Sequence, residues 1–216
     1  MKNKAILFDM DGTILDTLED LFESVNELLR KLGHPARTKD EVRLATGHGV
    51  RHLIATTLPA GMTDAYVDRA ILDYKEIYKR NMHNHTAPYN GIPEMIQAVR
   101  DLGYKTGVLS NKPDYATKIL CDTMFEGLID IPLGDRPDIK RKPAPDGVYL
   151  LLEKLQADAA QSYFVGDSDV DIQTGKNAGL TTIGVSWGLR DEALLQEEGA
   201  DVIIHMPEEL TALLEK

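Results

Sequence analysis

Asp9 and Asp11 stand one residue apart at the end of a short apolar run, in the stretch FDMDGTILDT at residues 8–17. On an extended strand, residues two apart point to the same side. The pair therefore crowds carboxylates that repel each other unless a cation joins them. A turn at Asp11 would also make backbone carbonyls available, and hard oxygen donors gathered in this way suit Mg2+, which accepts one or two carboxylates and keeps several waters or substrate oxygens. VGDSDVD at 165–171 offers Asp167, Asp169 and Asp171 as a second contribution. Either group alone also fits an acidic turn or a helix N-cap; together they point to a metal site. A cation beside carboxylates is typical of phosphoryl transfer, which also needs hydrogen-bond donors and a neutralising side chain. VLSNK at 108–112 supplies Ser110 and Asn111 as neutral donors, and DIKRKPAPDG at 138–147 supplies Lys140, Arg141 and Lys142. Lys142 is expected to turn inward because Pro143 restricts its backbone to extended geometry. Lys140 and Arg141 are expected to stay in solvent.

The elements that must position these groups are visible as patterns. Residues 4–9, 104–110 and 162–167 are short continuous apolar runs, as in strands buried on both faces of a parallel sheet, and each ends in small or acidic residues. Ligand crevices in such sheets lie at the carboxyl ends of the strands, so Asp9, Ser110 and Asp167 are expected to meet in space. Helical stripes run through 18–32 and 66–78, with Thr63 a possible cap of the second, and no convincing strand lies between residue 16 and about residue 86. Beyond 87–93, helix patterns at 92–102, 115–125, 147–155, 172–178 and 208–214 alternate with strand patterns that include 181–185 and 201–204. This predicts an α/β protein with a doubly wound, Rossmann-like parallel sheet formed by residues 1–15 and 88–216, and an all-helical domain inserted at 16–87. Asp16 and Glu19 then belong to the entry of the first inserted helix, where acids favour the N-terminus.

The chain of 216 residues has room for such a core and a small insertion, and its net charge of -11 disfavours nucleic acid and anionic membrane as partners. One cysteine, Cys121, cannot form an internal disulfide, and the apolar stretch at 5–8 is too short for a signal or a membrane span. A cytoplasmic monomer or homodimer acting on a small-molecule phosphate ester is expected.

The ordered motifs FDMDGTILDT, VLSNK, the lysine of RKPAPD and VGDSDVD resemble those of the haloacid dehalogenase superfamily, and the spacing leaves room for a helical cap after the first. The resemblance implies that Asp9 is the nucleophile forming an aspartyl-phosphate, and that Asp11 is the general acid for the leaving alkoxide and later the base for water. It implies Mg2+ held by Asp9, the backbone carbonyl of Asp11 and Asp167, with Lys142 offsetting charge, Ser110 and Asn111 holding phosphoryl oxygens, and Asp171 near the metal or Lys142. Asp169 is left at the surface. The acid at position 11 separates the phosphatases from the dehalogenases that resemble this chain, since a halide leaves without a proton.

In the inserted domain, ATGHGVRHLI at 45–54 frees the backbone at Gly47 and Gly49 just before a helix, where N–H groups can receive an anion. His48 and Arg51 would add charge or hydrogen bonds, or the stretch is a plain interhelical turn. It is similar to the cap loop of phosphoglycolate phosphatases, which implies 2-phosphoglycolate as substrate. The rivals are a phosphosugar mutase of the beta-phosphoglucomutase kind, a sugar-phosphate or pyrophosphate phosphatase, and a catalytically silent binding module. His83 and His85 lack a third partner at metal-ligand spacing, Trp187 is expected to pack, and Cys121 to be buried and inert.

Overall fold

The first apolar run forms strand β1 (Lys4–Phe8), in which Ala5, Ile6, Leu7 and Phe8 are wholly buried. The computed structural model describes residues 2–215. Strands β2 (Leu15–Asp16) and β3 (Ala87–Pro88) pair antiparallel as a short ribbon. Strands β4 (Tyr104–Pro113), β5 (Ile131–Asp135), β6 (Tyr163–Gly166), β7 (Thr181–Val185) and β8 (Val202–Ile204) join β1 in an all-parallel sheet of order β5-β4-β1-β6-β7-β8. Phe8 lies opposite Val108 of β4 and Val165 of β6. Asp9, Ser110 and Asp167 therefore emerge together at the carboxyl edge.

Both sheet faces are covered, so the strand residues alternate between two cores. Ile6 and Phe8 pack with helix α5 (Ile92–Asp101), helix α6 (Asp114–Met124) and helix α10 (Glu208–Leu214) through Ile92, Ile96, Leu120 and Leu210. Ala5 and Leu7 face helix α7 (Asp146–Leu155) and helix α8 (Asp169–Ala178) through Val148, Leu151 and Ala178. Helix α9 (Glu192–Glu197) follows β7.

Between the two strands of the ribbon lie helices α1 (Leu18–Lys31), α2 (Lys39–Ala45), α3 (Val50–Thr57) and α4 (Asp64–Asn81). Their apolar stripes form a separate core of Leu21, Val25, Leu28, Leu29, Ile54, Tyr74, Ile77 and Tyr78. Burying each such side chain contributes roughly 1.5–3 kcal/mol. This inserted helical region is attached through a buried clasp. The Asp20 carboxylate accepts from the His85 and Thr86 backbone N–H groups, both at 2.9 Å, and from the Thr86 hydroxyl at 2.7 Å.

Elements that depart from the sequence pattern include β5, α2, α8 and α9. β5, reading IPLGD, carries residues that are poor in strands, and it forms at the edge of the sheet, where only β4 must be matched. α2 is short but starts from a capping box in which Thr38 and Glu41 satisfy each other's backbone N–H groups. α8 begins three residues before the periodic stretch, because the Asp171 carboxylate reaches back to the Ser168 N–H at 3.1 Å and hydroxyl at 2.6 Å.

Candidate active site

Asp9 follows β1 directly and is buried, with its Oδ1 2.7 Å from Lys142 Nζ. The lysine also holds Asp171 Oδ1 at 2.6 Å, and all three side chains are almost wholly buried. Asp171 reaches this point because Gly166 has no side chain; a Cβ there would come within 2.2 Å of the Asp171 Cβ. Asp167, at the end of β6, accepts from the Thr13 hydroxyl at 2.8 Å and from the Leu189 N–H at 2.7 Å. Gly12 adopts a φ of 88° against this carboxylate, where a Cβ would approach its Oδ2 to 2.4 Å. Trp187 donates to the Thr13 carbonyl at 3.0 Å, which ties the loop after β7 to the first motif.

The carboxylates of Asp9, Asp167 and Asp171 offer oxygens within 4.8 Å of one another. Burial, then Asp171, pushes Asp9 well above the usual carboxylate range, and the same two causes raise Asp167 to about 7. Lys142 is raised because the pull of Asp171 and Asp9 outweighs burial, which would lower it. Asp9 Oδ1 is buried at ion-pair distance from that ammonium without an aligned hydrogen bond. Clustered acidic oxygens, with Asp9 and Asp167 raised and one Asp9 oxygen short of a donor, are the donor set a hard divalent cation needs. Asp9 and Asp167 fit Mg2+, and Asp171 adjoins them.

Asp11 is set apart from this cluster. Its Oδ1 lies 2.9 Å from the Nζ of Lys112, a buried lysine whose ammonium also donates to the Tyr78 hydroxyl at 2.7 Å and sits 4.6 Å above its ring. Each of the two first-motif aspartates therefore has its own lysine. Lys112 was legible in principle: it precedes Pro113 at a strand end, as Lys142 precedes Pro143.

A cavity of about 50 Å³ lies over these groups, lined by Asp9, Asp11, Ser110 and Lys112 from below and by Leu21, Leu53, Tyr74 and Tyr78 from the helices. That volume admits a few water-sized groups. Gly47 and Gly49 line it too. His48 is exposed and packs its ring 4.9 Å from that of His52, while Arg51 is held by Asp64 at 2.6 Å and by Asp68, and faces a neighbouring cleft. Both of these acids belong to α4. Asn111 lines the cavity as well. Its two side-chain N–H groups donate to the Gly47 carbonyl at 2.9 Å and the Lys142 carbonyl at 3.1 Å, so the side chain ties three segments together. Ser110 keeps its hydroxyl at the cavity. Lys140 and Arg141 are exposed, and Asp169 is half-buried at the start of α8.

The helices are held against the sheet. Arg190, after β7, donates to the carbonyls of Arg43 at 2.9 Å, Leu44 at 3.1 Å and Thr46 at 2.7 Å, which satisfies the open carboxyl end of α2. Cys121 is buried and its thiol is pushed up to about 12 by burial. His85 lies 3.5 Å from Glu23 at the surface.

This architecture and these motifs define a class. The family described as "Haloacid dehalogenase-like hydrolase" matches residues 6–185, and the chain belongs to it. It is 31% identical over 98% of its length to a phosphoglycolate phosphatase of Aquifex aeolicus, 97% of which is covered. It is also 30% identical to an N-acetylmuramic acid 6-phosphate phosphatase of Pseudomonas aeruginosa, over 100% of this chain and 96% of that protein. A crystal structure from Lactobacillus delbrueckii subsp. bulgaricus, provisionally described as a phosphoglycolate phosphatase, superimposes with a TM-score of 0.92 at 33% identity, covering 99% of both chains. Among the described residues, no helix is long and apolar enough to cross a membrane.

Proposed function

We propose that the protein is a Mg2+-dependent phosphatase that hydrolyses 2-phosphoglycolate through an aspartyl-phosphate on Asp9. The carrying observation is the floor of the small cavity, where Asp9 and Asp11 each face a separate buried lysine. In the first step an Asp9 carboxylate oxygen attacks phosphorus, the bond from phosphorus to the ester oxygen breaks, and Asp11 gives that oxygen its proton. Lys112 stabilises the Asp11 carboxylate that remains. In the second step Asp11 takes a proton from water, the water oxygen bonds to phosphorus, and Asp9 leaves as carboxylate with release of inorganic phosphate. Lys142 compensates charge on Asp9, and Ser110 donates to a phosphoryl oxygen. Asp9, Asp167 and the Asp11 carbonyl would hold Mg2+, whose charge draws the raised carboxylates back to their ionised form and screens the phosphoryl oxygens. The helices over the cavity exclude bulk water.

The size of the cavity favours a short leaving group, which supports phosphoglycolate over a muramic acid phosphate although relatives of both kinds are about equally similar. The reading is tested by ranking kcat/KM with Mg2+ over phosphoglycolate, N-acetylmuramic acid 6-phosphate, other sugar phosphates, nucleotides and pyrophosphate. Phosphoglycolate should rank first. A sugar phosphate above it overturns the substrate, sugar interconversion without phosphate release points to a mutase, and no hydrolysis of any ester leaves a silent binding module.

A further inference from the structure

Four hydroxyls line the cavity, and three of them have partners. Thr46 Oγ1 donates to the Val42 carbonyl at 2.8 Å, Ser110 Oγ accepts from the Lys112 N–H at 3.3 Å, and Tyr78 Oη accepts from Lys112 Nζ at 2.7 Å. Tyr74 Oη is buried with no hydrogen-bond partner among the described residues, although only 3% of the residue is exposed. Buried hydroxyls are rarely left unpaired, because an unmade hydrogen bond there is costly. The ring cannot swing away to relieve it, since it stacks on Tyr78 at 5.7 Å with 10° between the planes. Burial, then Tyr78, holds the phenol well above its usual range, so it remains a proton donor, and the charges of Lys112 and Asp11 are close enough to act on it. Tyr74 lines the same cavity as Asp11 and Lys112.

We infer that Tyr74 is a specificity residue contributed by α4, whose hydroxyl donates a hydrogen bond to an acceptor oxygen carried by the leaving alcohol of a small phosphate ester. A carboxylate or hydroxyl oxygen one or two carbons from the ester oxygen is the chemistry that fits. The inference rests on the phosphatase reading above. It also supplies the polar contact from the inserted helices that Arg51, turned to Asp64 and Asp68, does not make.

The test compares wild type with Tyr74→Phe on 2-phosphoglycolate and on ethyl phosphate, whose leaving alcohol has no further acceptor, together with thermal unfolding. The substitution should lower kcat/KM for phosphoglycolate ~10- to 100-fold more than for ethyl phosphate, and Tm should not fall, because no internal bond is lost. Equal losses on both esters, an unchanged kcat/KM for phosphoglycolate, or a lowered Tm would overturn the assignment and leave Tyr74 as packing. Failure of the wild type to release phosphate from either ester would instead overturn the phosphatase reading, and the inference with it. If a sugar phosphate proves the better substrate, the same comparison is made with it in place of phosphoglycolate.

Discussion

Beneath the cavity, the carboxylates of Asp9, Asp11, Asp167 and Asp171 all meet a lysine or hydrogen-bond donors, whereas the helices above it present Leu21, Leu53 and two tyrosines. The floor is a network of mutually dependent charges, and the roof is a packed surface in which, among the described residues that line the cavity, the Tyr74 hydroxyl is unpaired. Removing a member of the first strands its neighbours in a low-dielectric site. Changing the second alters fit. The proposed chemistry and the inferred selectivity thus rest on different elements, and perturbing each should give a different kind of result.

The sharpest break is Asp9→Asn. An amide is a poor nucleophile and a weaker metal ligand, so turnover with Mg2+ should fall by at least ~10⁴-fold while circular dichroism stays unchanged; appreciable residual turnover would remove Asp9 as nucleophile. Lys142→Met should act on stability as well as activity. It leaves buried carboxylates without their cation, a loss of about 3–5 kcal/mol, which for a chain of this size lowers Tm by roughly 6–20 °C; a Tm within a degree of wild type would show that the network does not depend on this ion pair.

A gentler probe is pH. Burial, then Asp171, raises Asp167 to about 7, and burial, then Asp171, raises Asp9 as well, both above the ordinary 3.8. Between about pH 4 and pH 7 these two carboxyls therefore hold more protons in the folded protein than in the unfolded chain, and their contribution to the stability of the metal-free form should fall as pH rises through that window. Mg2+ offsets the repulsion, so its gain in Tm should be larger near pH 7.5 than near pH 5, as calorimetry at the two pH values would read. An equal gain at both would place the cation elsewhere. The smallest effect belongs to the roof's outer side. Arg51→Ala removes ion pairs with two exposed acids and should leave Tm and the phosphoglycolate KM nearly unchanged; a selective loss on carboxylate-bearing esters would bring Arg51 back to the substrate.

The chemistry of the floor was legible because it is local. Each motif is an apolar run followed at once by its functional residues, and strands with that pattern end at one edge of a parallel sheet, so Asp9, Ser110 and Asp167 could be brought together from spacing alone. The elements that escaped are those whose formation depends on neighbours distant in sequence. β5 contains Pro and Gly and becomes a strand only because β4 offers an edge. Lys112, like Lys142, is a lysine fixed before proline, and its partners Asp11 and Tyr78 meet it only in the folded chain.

By itself, then, the sequence determined the alternation of strands and helices, the place of the inserted helices, and the acids and lysine of the floor, since periodicity and strand-end residues are local properties. Tertiary structure decided which of several candidate polar groups faces the cavity. Asn111 lines the cavity with its side-chain amide tied to the carbonyls of Gly47 and Lys142, Arg51 pairs with the carboxylates of α4, and Tyr74 was left without a partner among the described residues. Such choices are competitions between hydrogen-bond partners that meet only when the chain has folded, and no spacing along the chain records their outcome.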